Sequence, residues 1–146
     1  MAKGGAEQVD PANAAEETWC AERRDQARGY LRSQDLDHGE IGEVPAWFVV
    51  PHLSIWAIES LQTPDSVGWW VICGDLPTDY CSADGCRHPR QAAKRIARSW
   101  LEAIASTKPG DKHIGTSGLD ASLILLLQVR AKLLLDFSAD DSNWAE

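Results

Sequence analysis

Two aspartates, Asp75 and Asp79, stand four residues apart in the stretch WWVICGDLPTDY, residues 69–80. Paired carboxylates can divide acid and base work when one keeps its proton and the other yields it. That chemistry also needs a cleft and a matched partner, which spacing alone does not supply. The reading the residues favour is structural. Acids around Gly74 and Pro77 form turn-type hydrogen bonds and pair with cations nearby. Those cations follow at once in the chain. Residues 44–86 hold five acids (Glu59, Asp65, Asp75, Asp79, Asp84) and no Lys or Arg, whereas residues 87–98 hold five bases (Arg87, Arg90, Lys94, Arg95, Arg98) and no acid.

Arg90, Lys94 and Arg98 fall at helical spacing and line one stripe. Like charges at that spacing repel by a few tenths of a kcal/mol per pair. Cations in a first turn also oppose the positive end of the helix dipole. Something must compensate them. The internal choices are Asp75 and Asp79, the acidic first helix, or the acidic tail. The external choices are a phosphate, a carboxylate or an acidic protein surface. The candidate binding residues are therefore Asp75, Asp79, Arg90, Lys94 and Arg98, with the neighbouring Trp69 and Trp70. All of them depend on the acidic strand exit meeting the basic helix start.

Cys73, Cys81, Cys86 and His88 place four potential metal ligands within sixteen residues. Their spacing fits no common zinc pattern. Free thiols are the favoured reading, with Cys73 directed into a core. A zinc-thiolate module stands as an alternative, and so does a thiol activated by Arg87 and His88. No nucleophile elbow, HExxH, Walker loop or dinucleotide fingerprint is present. No catalytic residue, metal ligand or cofactor is assigned.

With 146 residues the chain suits one domain and a real core. A net charge of −8 argues against nucleic acid and anionic membranes as partners. The N-terminus has no apolar segment of the signal-peptide kind, and the expected location is the cytoplasm. Seven tryptophans exceed the two Phe and two Tyr. Adjacent Trp69 and Trp70 must point to opposite faces of a strand. One packs under a helix and the other meets a second layer, a groove or a partner.

The elements that would position these residues follow from pattern. Residues 1–12 read as a flexible N-terminus and 13–146 as one domain. Asn13 and Glu16 suggest a capping box opening a helix to about Ser33, packed through Trp19, Arg23, Ala27, Tyr30 and Leu31. Residues 35–45 form a loop. AWFVV is a short strand that Pro51 bends or interrupts. HLSIWAIES is a strand apolar on both faces, so both faces are covered. A hairpin loop leads to the antiparallel strand Trp69–Cys73, then a GDLPTDY turn and a CSADGCRH loop. Pro89 opens a second helix, whose inner stripe is Ala93, Ile96, Ala97, Trp100 and Ile104. A glycine-rich loop follows, and Asp120 caps a last helix that is apolar almost all round. Such a helix is central to the fold or half buried in a partner. The acidic tail ends near an isolated Trp144. The fold class is α+β, a small antiparallel sheet of two to three strands with three helices, in the order α-β-β-(β)-α-α.

The stretch WVICGDLPTD (residues 70–79), with Pro51 and WAIES (residues 56–60) before it, resembles a family of small bacterial proteins known only as a domain of unknown function. The resemblance runs over about residues 15–144 and includes a following helix with a tryptophan (Trp100) and a C-terminal tryptophan (Trp144). It implies a bacterial cytosolic protein and no catalytic residues. The expected function is non-catalytic: a protein-interaction or regulatory domain, by analogy of the immunity type, that self-associates or binds another protein. The alternative is a small-anion-binding protein or enzyme sited where the GDLPTD turn meets the basic helix.

Overall fold

A computed structural model describes residues 11–106 and 121–144. Helix α1 (Pro11–Ser33) leads into strands β1 (Trp47–Val49), β2 (Leu53–Glu59), β3 (Val67–Gly74) and β4 (Leu76–Ser82). Helices α2 (Pro89–Ala105) and α3 (Ala121–Ala139) follow, and a short 3-10 helix (Asp141–Trp144) ends the description. The strands form one antiparallel sheet in chain order, β1-β2-β3-β4. The α+β class is as expected, with one strand more than the sequence reading allowed.

The two apolar faces of β2 and β3 explain the layering. Leu53, Ile55, Trp70 and Ile72 face one side and pack with Ala93, Ile96, Ala97 and Trp100 of α2 and Leu127, Ala131 and Leu134 of α3. Trp56, Ile58, Val71 and Cys73 face the other and pack with Ala27 and Leu31 of α1. The sheet is thus buried between α1 and the α2–α3 pair, as strands apolar on both faces require.

Several local expectations need correction. Asn13 lies inside α1, which is already helical at Pro11, so it cannot be the N-cap. Pro51 marks a reversal, not a bend in one strand: β1 turns back on β2 through a cis Val50–Pro51 peptide, with Val49 opposite Leu53. The largest correction concerns GDLPTDY. Gly74 ends β3, only Asp75 lies between the strands, and Leu76–Ser82 return as an edge strand. Pro77 is tolerated there because an edge strand need not use every N–H, and the register shifts between the pairs Gly74–Leu76 and Ile72–Asp79. Gly74 is required at the turn. Its φ is +140°, and a Cβ would come within 2.6 Å of the His52 carbonyl oxygen. The expected flexible segment, in its first ten residues, and the Asp120 cap lie outside the described residues, as does all but the start of the glycine-rich loop.

Candidate functional site

The turn and β4 carry the two aspartates apart. Asp75 sits at the turn with its side chain exposed; Arg130 of α3 donates to it at 3.4 Å, and its own N–H donates to the His52 carbonyl at 2.7 Å. Asp79 lies within β4, opposite Ile72. Its carboxylate accepts from Trp100 Nε1 at 2.8 Å, from the Tyr80 amide at 2.8 Å and from the Tyr30 hydroxyl at 3.4 Å. Asp79 therefore ties α1, β4 and α2 together. Burial, the Asp79 charge and the hydrogen bond to it push the Tyr30 hydroxyl pKa upward.

Among the described residues neither aspartate pairs with Arg90, Lys94 or Arg98. No ion pair of the described residues joins the strand exit to the helix start; Asp79 reaches α2 instead through Trp100. An extended strand covers roughly 13 Å in four residues, whereas a tight turn would have kept both acids together.

The C-terminal tail supplies the compensation for Arg90. Its Nε donates to the Ser138 carbonyl at 2.5 Å, and its Nη2 lies 2.6 Å from Asp141. Ser138 lies at the end of α3 and Asp141 just beyond it. A cation that opposes the dipole of α2 at its start thus favours the dipole of α3 at its end. Trp144 is not isolated. It stacks on Trp47 with ring centroids 4.2 Å apart and an 18° interplanar angle, and the Arg90 guanidinium stands 5.9 Å from its ring centroid. Trp144 Nε1 donates to the Phe137 carbonyl at 3.0 Å, and Trp47 Nε1 to the Asn143 carbonyl at 2.8 Å. The tail is latched across β1 and the start of α2.

Lys94 and Arg98 stand elsewhere, with Arg95, along a groove on the outer side of α2. Arg95 clamps the CSADGC loop, donating to the carbonyls of Ser82 at 3.0 Å, Asp84 at 2.9 Å and Gly85 at 3.3 Å. The two neighbouring tryptophans divide as strand geometry demands. Trp70 is buried under α2 and donates to the Cys86 carbonyl at 2.8 Å. Trp69 lies half-buried on the α1 face against Tyr80, 5.7 Å between centroids. Both are covered from within the chain.

The sheet separates the cysteines. Cys73 packs on the α1 face, and Cys81 and Cys86 on the other. His88 caps α2, its Nδ1 accepting from the Arg90 amide at 3.0 Å. Among the described residues no three His, Cys, Asp or Glu side chains group as metal ligands would. The Cys81 thiol is pushed up to about 12, first by burial and then by adjacent Cys86, with Arg95 pulling the other way. Arg87 and His88 thus fail to activate it, and a thiol so shifted is a poor nucleophile at neutral pH.

Sequence reasoning missed the Trp47–Trp144 stack and Arg130. The signals were present: one aromatic in an acidic tail, and one arginine amid an apolar helix. Fold and surface together define a three-layer α+β domain whose conspicuous polar contacts join its layers. The chain belongs to the family described as Domain of unknown function (DUF4826), which it matches over residues 13–144. No curated protein and no solved structure matches it.

Proposed function

We propose that this protein is a non-catalytic interaction domain that associates with a second copy of itself through the outer face of α3. The observation that carries the reading is the exposure of apolar side chains on that face. Leu125 is 62% exposed, Val129 49% and Leu126 39%, all within little more than one turn. Partly buried Leu133 follows one turn further on. A soluble domain gains nothing by presenting aliphatic side chains in a row, and a row of this kind marks an interaction surface. The inner side of the same helix, Leu127, Ala131 and Leu134, already fills the core. A helix apolar on both sides is suited to lie between its own domain and another.

Two-fold packing of α3 on α3 would cover the stripe with itself, the isologous arrangement commonest among soluble oligomers. The internal use of Asp75, Asp79 and Arg90 supports a non-catalytic role, because each is held by the fold. Light scattering on a gel-filtration column, across a hundredfold range of loading concentration, tests the reading. Twice the chain mass at high loading is expected. The mass of one chain at every concentration would refute it.

A further inference from the structure

A second surface, on α2 and independent of the α3 face, has the chemistry of a binding site. Lys94, Arg95 and Arg98 line a cavity of about 520 Å³, within the size range of small-ligand sites. Glu102 is the acid among the lining residues. Among the described residues no carboxylate pairs with Lys94 or Arg98. Arg90, the third cation of the expected stripe, is drawn away to Asp141 and the end of α3. What remains is a compact cationic surface on a chain whose net charge is −8.

The polar atoms around the cavity are mostly donors. The carbonyl oxygen of Gln91 accepts from the Arg87 amide at 2.7 Å, which leaves its NH₂ group as the free end. Arg95 is held in place by loop carbonyls, so part of the cationic surface is preorganised. The Ser99 hydroxyl adds a further donor, and Lys94 and Arg98 sit one helical turn apart. A ligand for this groove must be rich in acceptors, compact and anionic. Phosphate oxygens meet that description, since guanidinium and ammonium groups bind them through strong charge-assisted hydrogen bonds. Long polyanions are disfavoured, because the net charge of −8 on the chain repels them.

We propose that this groove binds a small, soluble phosphate-bearing molecule through Lys94, Arg95 and Arg98. The test titrates inorganic phosphate and pyrophosphate into the full chain at low ionic strength, followed by calorimetry and by amide NMR shifts. Pyrophosphate is expected to bind more tightly than phosphate, with shifts centred on the outer side of α2 and residues 82–86. A Lys94→Ala/Arg98→Ala variant is expected to bind at least about tenfold more weakly, the scale of a lost charged hydrogen bond. Arg28→Ala, which removes a cation paired with Asp25 on α1, is expected to bind as the parent does. Circular dichroism confirms that each variant is folded. The proposal is overturned if neither anion shifts those amides, if sodium chloride at equal ionic strength reproduces the shifts, or if the double variant binds undiminished. Binding to anionic vesicles or RNA with none to either soluble anion would overturn it as well.

Discussion

Arg90 reaches from the first turn of α2 to Asp141, 2.6 Å away beyond the end of α3, and on the way donates to the Ser138 carbonyl. Its side chain is 28% exposed, whereas that of Asp141 is 91% exposed. The carbonyl bond and the end of the α3 dipole therefore carry the contact, and the ion pair adds little. Arg90→Ala is expected to lower stability by about 1–2 kcal/mol, and Asp141→Ala by less than about 0.5 kcal/mol. Urea unfolding of both variants checks the order; equal losses would show that the ion pair dominates.

Trp144 closes the same latch from the other side. Its stack on Trp47 and its hydrogen bond to the Phe137 carbonyl join the tail to β1 and to α3. An aromatic pair adds about 0.5–1.5 kcal/mol beyond the area it buries. Trp144→Ala should lower the urea midpoint and speed amide exchange in β1 and the last turn of α3, with α1 unaffected. Uniform loss of protection across the molecule would mean that the tail is not a local latch.

Alkaline pH should weaken the fold. Burial raises the Cys81 thiol from 9.0 to about 12, and burial with the nearby Asp79 raises the Tyr30 hydroxyl. In both cases the folded state holds its proton to higher pH than the unfolded state does. Stability is therefore complete below about pH 9 and declines as pH climbs through the folded values. The melting temperature should fall steadily from pH 9 to pH 11. A Cys81→Ala/Tyr30→Phe variant should start lower and fall less; a parallel fall would discount these two groups.

Gly74 gives the sharpest backbone test. Its φ of +140° and the 2.6 Å approach to the His52 carbonyl leave no room for a methyl group. Gly74→Ala should cost about 2–3 kcal/mol through backbone strain and displacement of the β2–β3 pairing. Thermal unfolding measures it, and a change below about 0.5 kcal/mol would contradict the turn geometry.

The helices, the central hairpin and their inward faces were legible because they rest on periodicity. Leu53, Ile55 and Ala57 do face away from Trp56 and Ile58, and Ala93, Ile96 and Trp100 do point inward. The fourth strand was hidden by Pro77 and by a glycine-aspartate pair that reads as loop. An edge strand tolerates both, and edge position is a tertiary property. The misread turn gave the two acids different partners, because the separation of Asp75 and Asp79 depends on whether the backbone between them is coiled or extended. The Arg90 puzzle was posed correctly by local charge. Its tail solution could be named as one possibility but not selected, since it spans 51 residues of sequence. Similarly, the outward apolar row of α3 follows from composition, whereas which side is inward does not.

That outward row is tested most directly by sedimentation equilibrium of the parent chain beside a Leu125→Glu/Val129→Glu variant, both checked for unchanged thermal unfolding of the isolated domain at low concentration. The parent is expected to rise to twice the chain mass with concentration, while the variant remains at one. Indistinguishable masses for the two proteins across the range would contradict association through α3.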